Sequence, residues 1–506
     1  MARTPHLDEL PLPARLPQEK PGIWLDRALR QMILTGQLKP GMRLPSSRRL
    51  GQQHGLARGT VMEVFAQLLT EGYLESRGGS GTRVADRLPE VFFTPERKIM
   101  PTDEGAARVA AVPLSARGAA LTHSPFYSVT PTARPRAFRA YEPAVEEFPV
   151  ELWARLCGRR MRQVRREMLL RGDELGWRPL QEAIADHLGS TRGVICRPEQ
   201  VMIVSGTQHA LDFFARLLIA PGDAIWIEDP GYSGAAAILR AVGARIVPVP
   251  VDDHGLQVVV GRRRAPRARM VYVTPANQLP LGMTLSLERR LQLLEWSRQT
   301  GAWVFEDDYD SEFRFVGRPL AALQGLDPTA SVIYSCSFNK MLFPTLRLGV
   351  VVAPLSLIEP ARAARSMLDR YPPILEQLVL CDFITEGHFG RHLRKMRQIY
   401  AERLAALTDN AQKLEGRLTL GRCDTGLQTT AWLPEGADDR LAATALAERG
   451  VEVTPLSSYS LRWPVRNGLH LGFGAVSERE LAQGVEIIRK VFASGMKQFA
   501  RRSGDP

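Results

Sequence analysis

The chain has 506 residues, 44% of them hydrophobic: too long for one ordinary core and enough for two or three domains. Its formal charge of +12 favours a polyanionic partner wherever that charge is localised. The five cysteines (157, 196, 336, 381 and 423) show no CxxC or other ligand spacing, which excludes a disulfide frame and a zinc site, and no other metal site is expected. The opening stretch MARTPHLDELPLPARLP has no apolar signal region, and no run is long and uncharged enough to span a bilayer. A cytoplasmic protein with no membrane partner is expected.

Residues 1–20 are proline-rich and are expected to be mobile. A compact unit follows over 21–85. IWLDRALRQMILTG (23–36) has apolar residues at helical spacing and ends on Gly36. PGMRLPSSRRLGQQHG then supplies a turn, a Ser46/Ser47 start signal and a short helix closing at Gly55. LARGTVMEVFAQLLTEGYL places Val61, Val64, Phe65 and Leu68 on one face of a second helix. Two helices joined by a short turn make a helix-turn-helix, and YLESRGGSGTRVA reads as a hairpin with a glycine-rich tip. Basic residues outnumber acids here, which by itself describes a solvated surface.

The order LPSSRRL, RGTV, EGYLESRGGSGTRV is more specific. It resembles the winged helix-turn-helix of GntR-type regulators across the whole unit. The resemblance implies double-stranded operator DNA as partner, with Arg48, Arg58 and Thr60 contacting it near the recognition helix. The wing residues Arg77, Gly78, Gly79, Ser80 and Gly81 would reach the minor groove or backbone, and Ser46 with its helix N-terminus would hold phosphates. Gly59 and Met62 stand where polar residues are common in that family.

Residues 86–130 lack a sustained period and read as a linker, with a short helix around 105–112. The domain expected over 131–495 alternates amphipathic helices with the strands VMIVS, AIWIED, RIVPVPV, MVYVTP, WVFEDD, VIYSCS and LGVVVAP. That alternation predicts an α/β domain with a mostly parallel sheet covered on both faces and ligands beyond the strands' carboxyl ends. Residues 496–506 form a tail.

Lys340 sits in YSCSFNKMLFPTLRLG, directly after an apolar strand. Burial disfavours its charge, so such a lysine is a mistake, a paired charge or a nucleophile. The other strand ends decide. SGTQHAL offers Ser205, Gly206 and Thr207 at a helix start; DPGYSG offers Tyr232; TPANQLPLG offers Asn277; VFEDDYDSEF offers Asp307 and Tyr309; Arg347 follows Lys340 by seven residues. Pyridoxal 5'-phosphate needs this set. Lys340 forms the Schiff base, Asp307 keeps the ring nitrogen protonated, and Tyr309 and Asn277 donate to the phenolate oxygen. Ser205, Gly206, Thr207 and Arg347 take the phosphate, and Tyr232 covers the ring. Each residue alone has a bland alternative: an ion pair for Lys340, a helix cap for Asp307, core packing for Tyr232.

From about 138 to 492 the set resembles the fold-type I aminotransferases, and the whole chain resembles regulators of the MocR/GabR family. The resemblance implies a homodimeric transcriptional regulator. An amine, an amino acid or pyridoxal phosphate itself would be sensed through an aldimine at Lys340, with little or no transaminase turnover. The alternative is a working aminotransferase with an appended DNA-binding domain. Asn339 replaces a usual serine, and Asn277 is the aminotransferase type where many of the regulators carry histidine. His470, in GLHLGFG, stands where many aminotransferases keep the arginine that clamps a substrate carboxylate. Arg462 and Arg466, in the preceding loop, are candidates to bind an effector acid group together with His470. The basic helix 388–404, with Arg391, Arg394, Lys395 and Arg397, is expected to be solvated or at an interface.

Overall fold

The computed structural model describes residues 10–77, 81–86, 88, 113–122, 124–125, 136–317, 320–414 and 416–495. The chain divides into two units, Met1–Pro113 and Leu114–Pro506.

In the first unit, helix α1 (Pro21–Leu34) opens on proline, whose missing N–H would be unpaired there anyway. It buries Trp24, Leu25, Ala28, Leu29, Met32 and Ile33 along one stripe. Helix α2 (Ser47–His54) is capped by Ser46 Oγ, which accepts the Arg49 N–H, and stops at Gly55 in the left-handed region. Helix α3 (Arg58–Thr70) buries Val61, Val64, Phe65 and Leu68, the face expected from their spacing. Strands β1 (Leu74–Arg77) and β2 (Gly81–Val84) pair antiparallel. The result is a winged helix-turn-helix.

Residues 10–20, expected to be mobile, are pinned to this unit instead. Leu10 is buried and exchanges hydrogen bonds with the Gln53 side chain, Trp24 Nε1 donates to the Pro13 carbonyl, and Arg27 pairs with Glu19 at 2.8 Å. A single well-placed leucine docking into the helical core outweighs the disordering effect of the surrounding prolines. Gly78, Gly79, Ser80, the helix expected around 105–112 and the tail 496–506 lie outside the described residues. The stretch read as a linker contains a helix, Ala116–Thr122, packed on helix Ser233–Ala241.

The second unit is built on eight strands: β3 (Val201–Val204), β4 (Ala224–Asp229), β5 (Arg245–Asp252), β6 (Gly255–Leu256), β7 (Met270–Val273), β8 (Trp303–Asp308), β9 (Val332–Ser337) and β10 (Gly349–Val352). Their order is β3-β10-β9-β8-β7-β4-β5-β6. The run β9-β8-β7-β4-β5 is parallel, while β10 runs against both β9 and β3, and β6 against β5. Successive residues of one strand enter different cores. Val201 and Ile203 pack with Leu180, Ile184 and Val350; Met202 and Val204 pack with Leu211, Phe214 and Val351. Both faces are therefore covered, which is why these strands read as unbroken apolar runs.

A second sheet, β11 (Thr419–Leu420), β12 (Gln428–Trp432), β13 (Thr454–Pro455) and β14 (Gly468–Gly472), is antiparallel in the order β11-β12-β14-β13. No helix among the described residues is long and apolar enough to cross a membrane.

Beneath the main sheet Arg192 Nε meets Asp308 at 2.8 Å with both side chains buried, and Tyr334 donates to the same carboxylate at 2.6 Å. Arg192→Met would leave Asp308 buried without its counter-charge. A loss of about 3–5 kcal/mol is expected in equilibrium denaturation of the large domain.

Candidate functional site

The carboxyl ends of β4, β7, β8 and β9 converge on a cavity of about 270 Å³, the place where a parallel sheet leaves room for a ligand. Tyr232, Asp307, Tyr309, Lys340, Arg347, Gly206 and Thr207 all line it, so seven of the nine residues expected to hold a cofactor meet there.

Lys340 follows β9 on a single helical turn, Phe338–Met341, started by Ser337 Oγ accepting the Asn339 N–H. Its Nζ donates to the Tyr141 carbonyl at 2.6 Å and lies 4.7 Å from the centre of the Tyr141 ring. Burial pushes the amine down to about 8, with Asp310, Glu142 and Asp307 opposing the shift. Tyr141 adopts a positive φ of 71°, an uncommon conformation for a residue with a side chain. Its hydroxyl bonds to Tyr459 at 2.7 Å, and Tyr459 bonds in turn to His470 Nδ1 at 2.9 Å.

Asp307, at the end of β8, is held on both oxygens. Tyr272 donates to Oδ2 at 2.5 Å, and the Thr207 hydroxyl donates to Oδ1 at 3.1 Å. Burial pushes the carboxyl up to about 7 against those two bonds. Such a group is costly to ionise alone and ready for a cationic partner.

At the other end, helix Thr207–Leu218 starts without a side-chain cap, leaving first-turn N–H groups for an anion. Gly206 has φ 113°, and a Cβ there would fall 3.0 Å from Asn339 Nδ2. Gly349 brings β10 so near that its Cβ would lie 2.7 Å from Gly206 Cα. Arg347, in the left-handed region at φ 53°, lines the same end, and Asn339 Oδ1 is buried there without a protein partner.

Two of the expected cofactor residues do not line the cavity. Ser205 gives its N–H to His209 Nδ1. The Asn277 amide is spent on both oxygens of Asp310, at 2.9 and 3.0 Å, under Gly426, whose Cβ would overlap Asp310 Oδ2. Thr207 is present, but its hydroxyl supports Asp307, which leaves its backbone for an anion. Arg462 and Arg466 are exposed and line no part of the cavity; Arg466 bonds to the Leu433 carbonyl. The Arg462 loop is fastened by Asp229, which accepts the N–H groups of Leu461, Arg462 and Trp463. His470 is buried on β14 behind Tyr141 and Tyr459. On the basic helix, Lys395 pairs with Glu147, and Arg397 with Glu312.

Sequence reasoning missed Tyr272, Tyr141 and Gln208, which donates to the Tyr232 hydroxyl at 2.8 Å. Only Tyr272 left a signal. β7 pairs with β8 in the register Tyr272–Phe305, so Tyr272 shares a face with Asp307 two residues on.

The cavity suits pyridoxal phosphate: a buried carboxylate for a ring nitrogen, an amine of lowered pKa, and uncapped N–H groups and a guanidinium for the phosphate.

In the first unit, Arg58, Met62, Phe65, Ala66 and Leu69 along one side of α3 join α2 and the wing in a concave surface of about 650 Å³. Arg58, Ser46 and Gly81, three of the residues proposed from the sequence to contact DNA, line it together with Arg43 and Arg49, which were not among those proposed. Arg48 is exposed on α2 outside this surface. Thr60 is half-buried, its methyl 3.4 Å from where a Cβ on Gly22 would stand. Nothing is described of the Arg77 side chain.

Residues 25–84 match the family model "Bacterial regulatory proteins, gntR family", and 170–488 match "Aminotransferase class I and II". Among solved structures, the kynurenine aminotransferase of Pyrococcus horikoshii superposes with a TM-score of 0.66 at 26% identity, covering 72% of this chain and 92% of that one. A multiple-substrate aminotransferase of Thermococcus profundus gives 0.68 at 25%, covering 76% and 98%. The class is thus a GntR-type winged helix-turn-helix joined to a fold-type I aminotransferase domain, whose cofactor is pyridoxal 5'-phosphate. Similarity extends over nearly the full length to the "Probable rhizopine catabolism regulatory protein MocR" of Rhizobium meliloti, 39% identical over 94% of this chain and 96% of that protein. The pyridoxine biosynthesis regulator PdxR of Corynebacterium glutamicum is 31% identical over 90% and 92%. The chain belongs to the MocR/GabR family of transcriptional regulators.

Proposed function

We propose that this regulator senses an amine or amino acid at Lys340 and passes the event to its DNA-binding unit, acting in the cytoplasm as a homodimer on paired operator half-sites. The observation that carries the reading is the placement of Lys340. Its amine is shifted toward neutrality in a cavity that also holds Asp307 and the Gly206–Thr207–Arg347 cradle. Bound pyridoxal phosphate supplies an aldehyde that condenses with amines and a ring that draws electrons. Lys340 would hold that aldehyde carbon, Asp307 the ring nitrogen, and the uncapped N–H groups with Arg347 the phosphate. An effector amine would compete with Lys340 for the aldehyde, and Lys340 Nζ would then be released as a free amine. Its hydrogen bond to the Tyr141 carbonyl and its contact with the Tyr141 ring then change. Through Tyr459 and His470 that change reaches β14, a two-state bias of the kind that couples sites.

The test is borohydride reduction of the purified protein, followed by mass mapping. A reduced adduct on Lys340 supports the reading; an unlabelled Lys340 overturns it. Pyridoxal phosphate as the effector predicts that operator binding follows cofactor loading with no added amine. Turnover of an amino donor with a keto acceptor would favour the working aminotransferase instead.

At the DNA face, Arg58→Ala is expected to weaken operator binding and to lower the slope of log affinity against log salt by about 1 if Arg58 meets a phosphate. A base contact would instead relax specificity at one position, at a cost of about 1–3 kcal/mol. Salt titrations on specific and random duplexes tell the two apart.

A further inference from the structure

The cavity is built against carboxylates. Among the described residues that line it, the cations are Lys340 and Arg347, and Arg347 stands at the anion end beside Gly206 and Thr207. Apart from the Asp307 carboxyl, the other walls carry no ionisable cation: Tyr141, Tyr232, Tyr309, Leu279 and the amide of Gln208. With Asp307, which lines the cavity, two further buried carboxyls, Glu228 and Asp310, are close enough to interact electrostatically. Each is pushed up to about 7, chiefly by loss of hydration. A ligand carboxylate brought into the same surroundings would lose its hydration too, and among the described lining residues it would meet carboxyls and find no counter-charge away from the anion end.

The one imidazole nearby does not change this. His470 is 1% exposed, its Nδ1 is hydrogen-bonded to the Tyr459 hydroxyl, and its ring packs edge-on against both Tyr141 and Tyr459. Burial, with Lys340 adding to it, pushes its pKa down to about 3, so it is neutral at any physiological pH. It therefore supplies no positive charge. Tyr141 turns its ring toward the Lys340 amine.

We infer that the effector site takes a primary amine with an uncharged substituent and no carboxylate on the carbon that bears the nitrogen. The inference rests on the proposed sensing at Lys340 and narrows it. The ammonium form is drawn toward the acidic floor, then enters as the neutral amine. The substituent packs on the tyrosine walls, where an aromatic, aliphatic or hydroxylated group fits without stranding a charge.

The test uses the full-length protein loaded with pyridoxal phosphate and matched pairs of probes: phenethylamine against phenylalanine, and ethanolamine against serine. The readouts are the visible absorption of the cofactor and the thermal denaturation midpoint. Each amine should half-saturate the absorption change at a concentration at least ~10-fold below that of its carboxylated partner, equivalent to about 1.4 kcal/mol or more, and should shift the midpoint more. His470→Arg should narrow or reverse the preference. The wild-type titration stands alone if that variant fails to fold. Equal or opposite preference, or no response to any amine, in a protein whose Lys340 is labelled by borohydride overturns this inference and leaves the cofactor reading intact. An unlabelled Lys340 overturns both.

Discussion

Lys340→Met is expected to abolish the borohydride-reducible adduct completely and, at neutral pH, to make the unloaded protein more stable. The first half follows from chemistry: no other lysine lines the cavity among the described residues. The second follows from linkage. The amine falls from 10.5 to about 8 on folding, mainly through burial. Between those values the unfolded chain binds the proton and the folded chain does not, so stability rises with pH across that window. Below pH 8 both states are protonated and the folded state bears the full cost of the buried charge, about 3 kcal/mol. Methionine removes that cost but leaves the Tyr141 carbonyl without its donor, an offset of about 1 kcal/mol. A net gain of about 2 kcal/mol is expected at pH 7, shrinking and then vanishing as the pH approaches 10. Denaturation curves of cofactor-free protein at pH 7 and pH 10 check it. A variant that still responds to amines with an unchanged shift in operator binding would refute sensing at Lys340.

Asp307→Asn should act in the same two directions. The carboxyl rises from 3.8 to about 7 on folding. Between pH 4 and pH 7 the folded state keeps a proton that the unfolded state releases, so stability falls as pH rises through that range. Above pH 7 the buried carboxylate costs about 4 kcal/mol in the cofactor-free protein. Asparagine keeps an acceptor for Tyr272 or Thr207 and removes the charge. The unloaded variant should therefore exceed wild type at pH 8 by a few kcal/mol and match it near pH 4. Cofactor binding should move the other way. Without the carboxylate a protonated ring nitrogen loses its buried counter-charge, a loss of about 3–5 kcal/mol, or roughly 10²–10⁴-fold in affinity. Equilibrium dialysis of pyridoxal phosphate against the two proteins measures it. An unchanged affinity would remove Asp307 from its assigned role. Both substitutions place the site where function opposes stability.

Each expectation that held rests on a local signal. α3 was legible because Val61, Val64, Phe65 and Leu68 recur at helical spacing, and the strands of the main sheet because a sheet covered on both faces needs continuous apolar runs. The second sheet was not legible. β11 and β13 are two residues each, and β12 carries Gln428, Thr429 and Thr430, all buried although polar. Those side chains are placed by neighbours far along the chain, and no local pattern marks them.

The same division runs through the site. The kinds of group, a lysine after a strand, a carboxylate at the next strand's end, glycines at a helix start and a following arginine, are properties of the sequence, because each must sit at the end of its own strand to be useful. Which of them meet, and what else they touch, was decided by tertiary structure. Tyr141 lies 199 residues from Lys340 yet supplies its hydrogen-bond acceptor, and Tyr459 reaches Tyr141 across 318 residues. Asn277 was drawn to Asp310, and Thr207 to Asp307, because a buried carboxylate takes the nearest donors. Composition and spacing determine what chemistry is available to this chain. Burial, which sets the pKa of Lys340, Asp307 and His470 and so the charge a ligand will meet, exists only once the distant segments have closed around them.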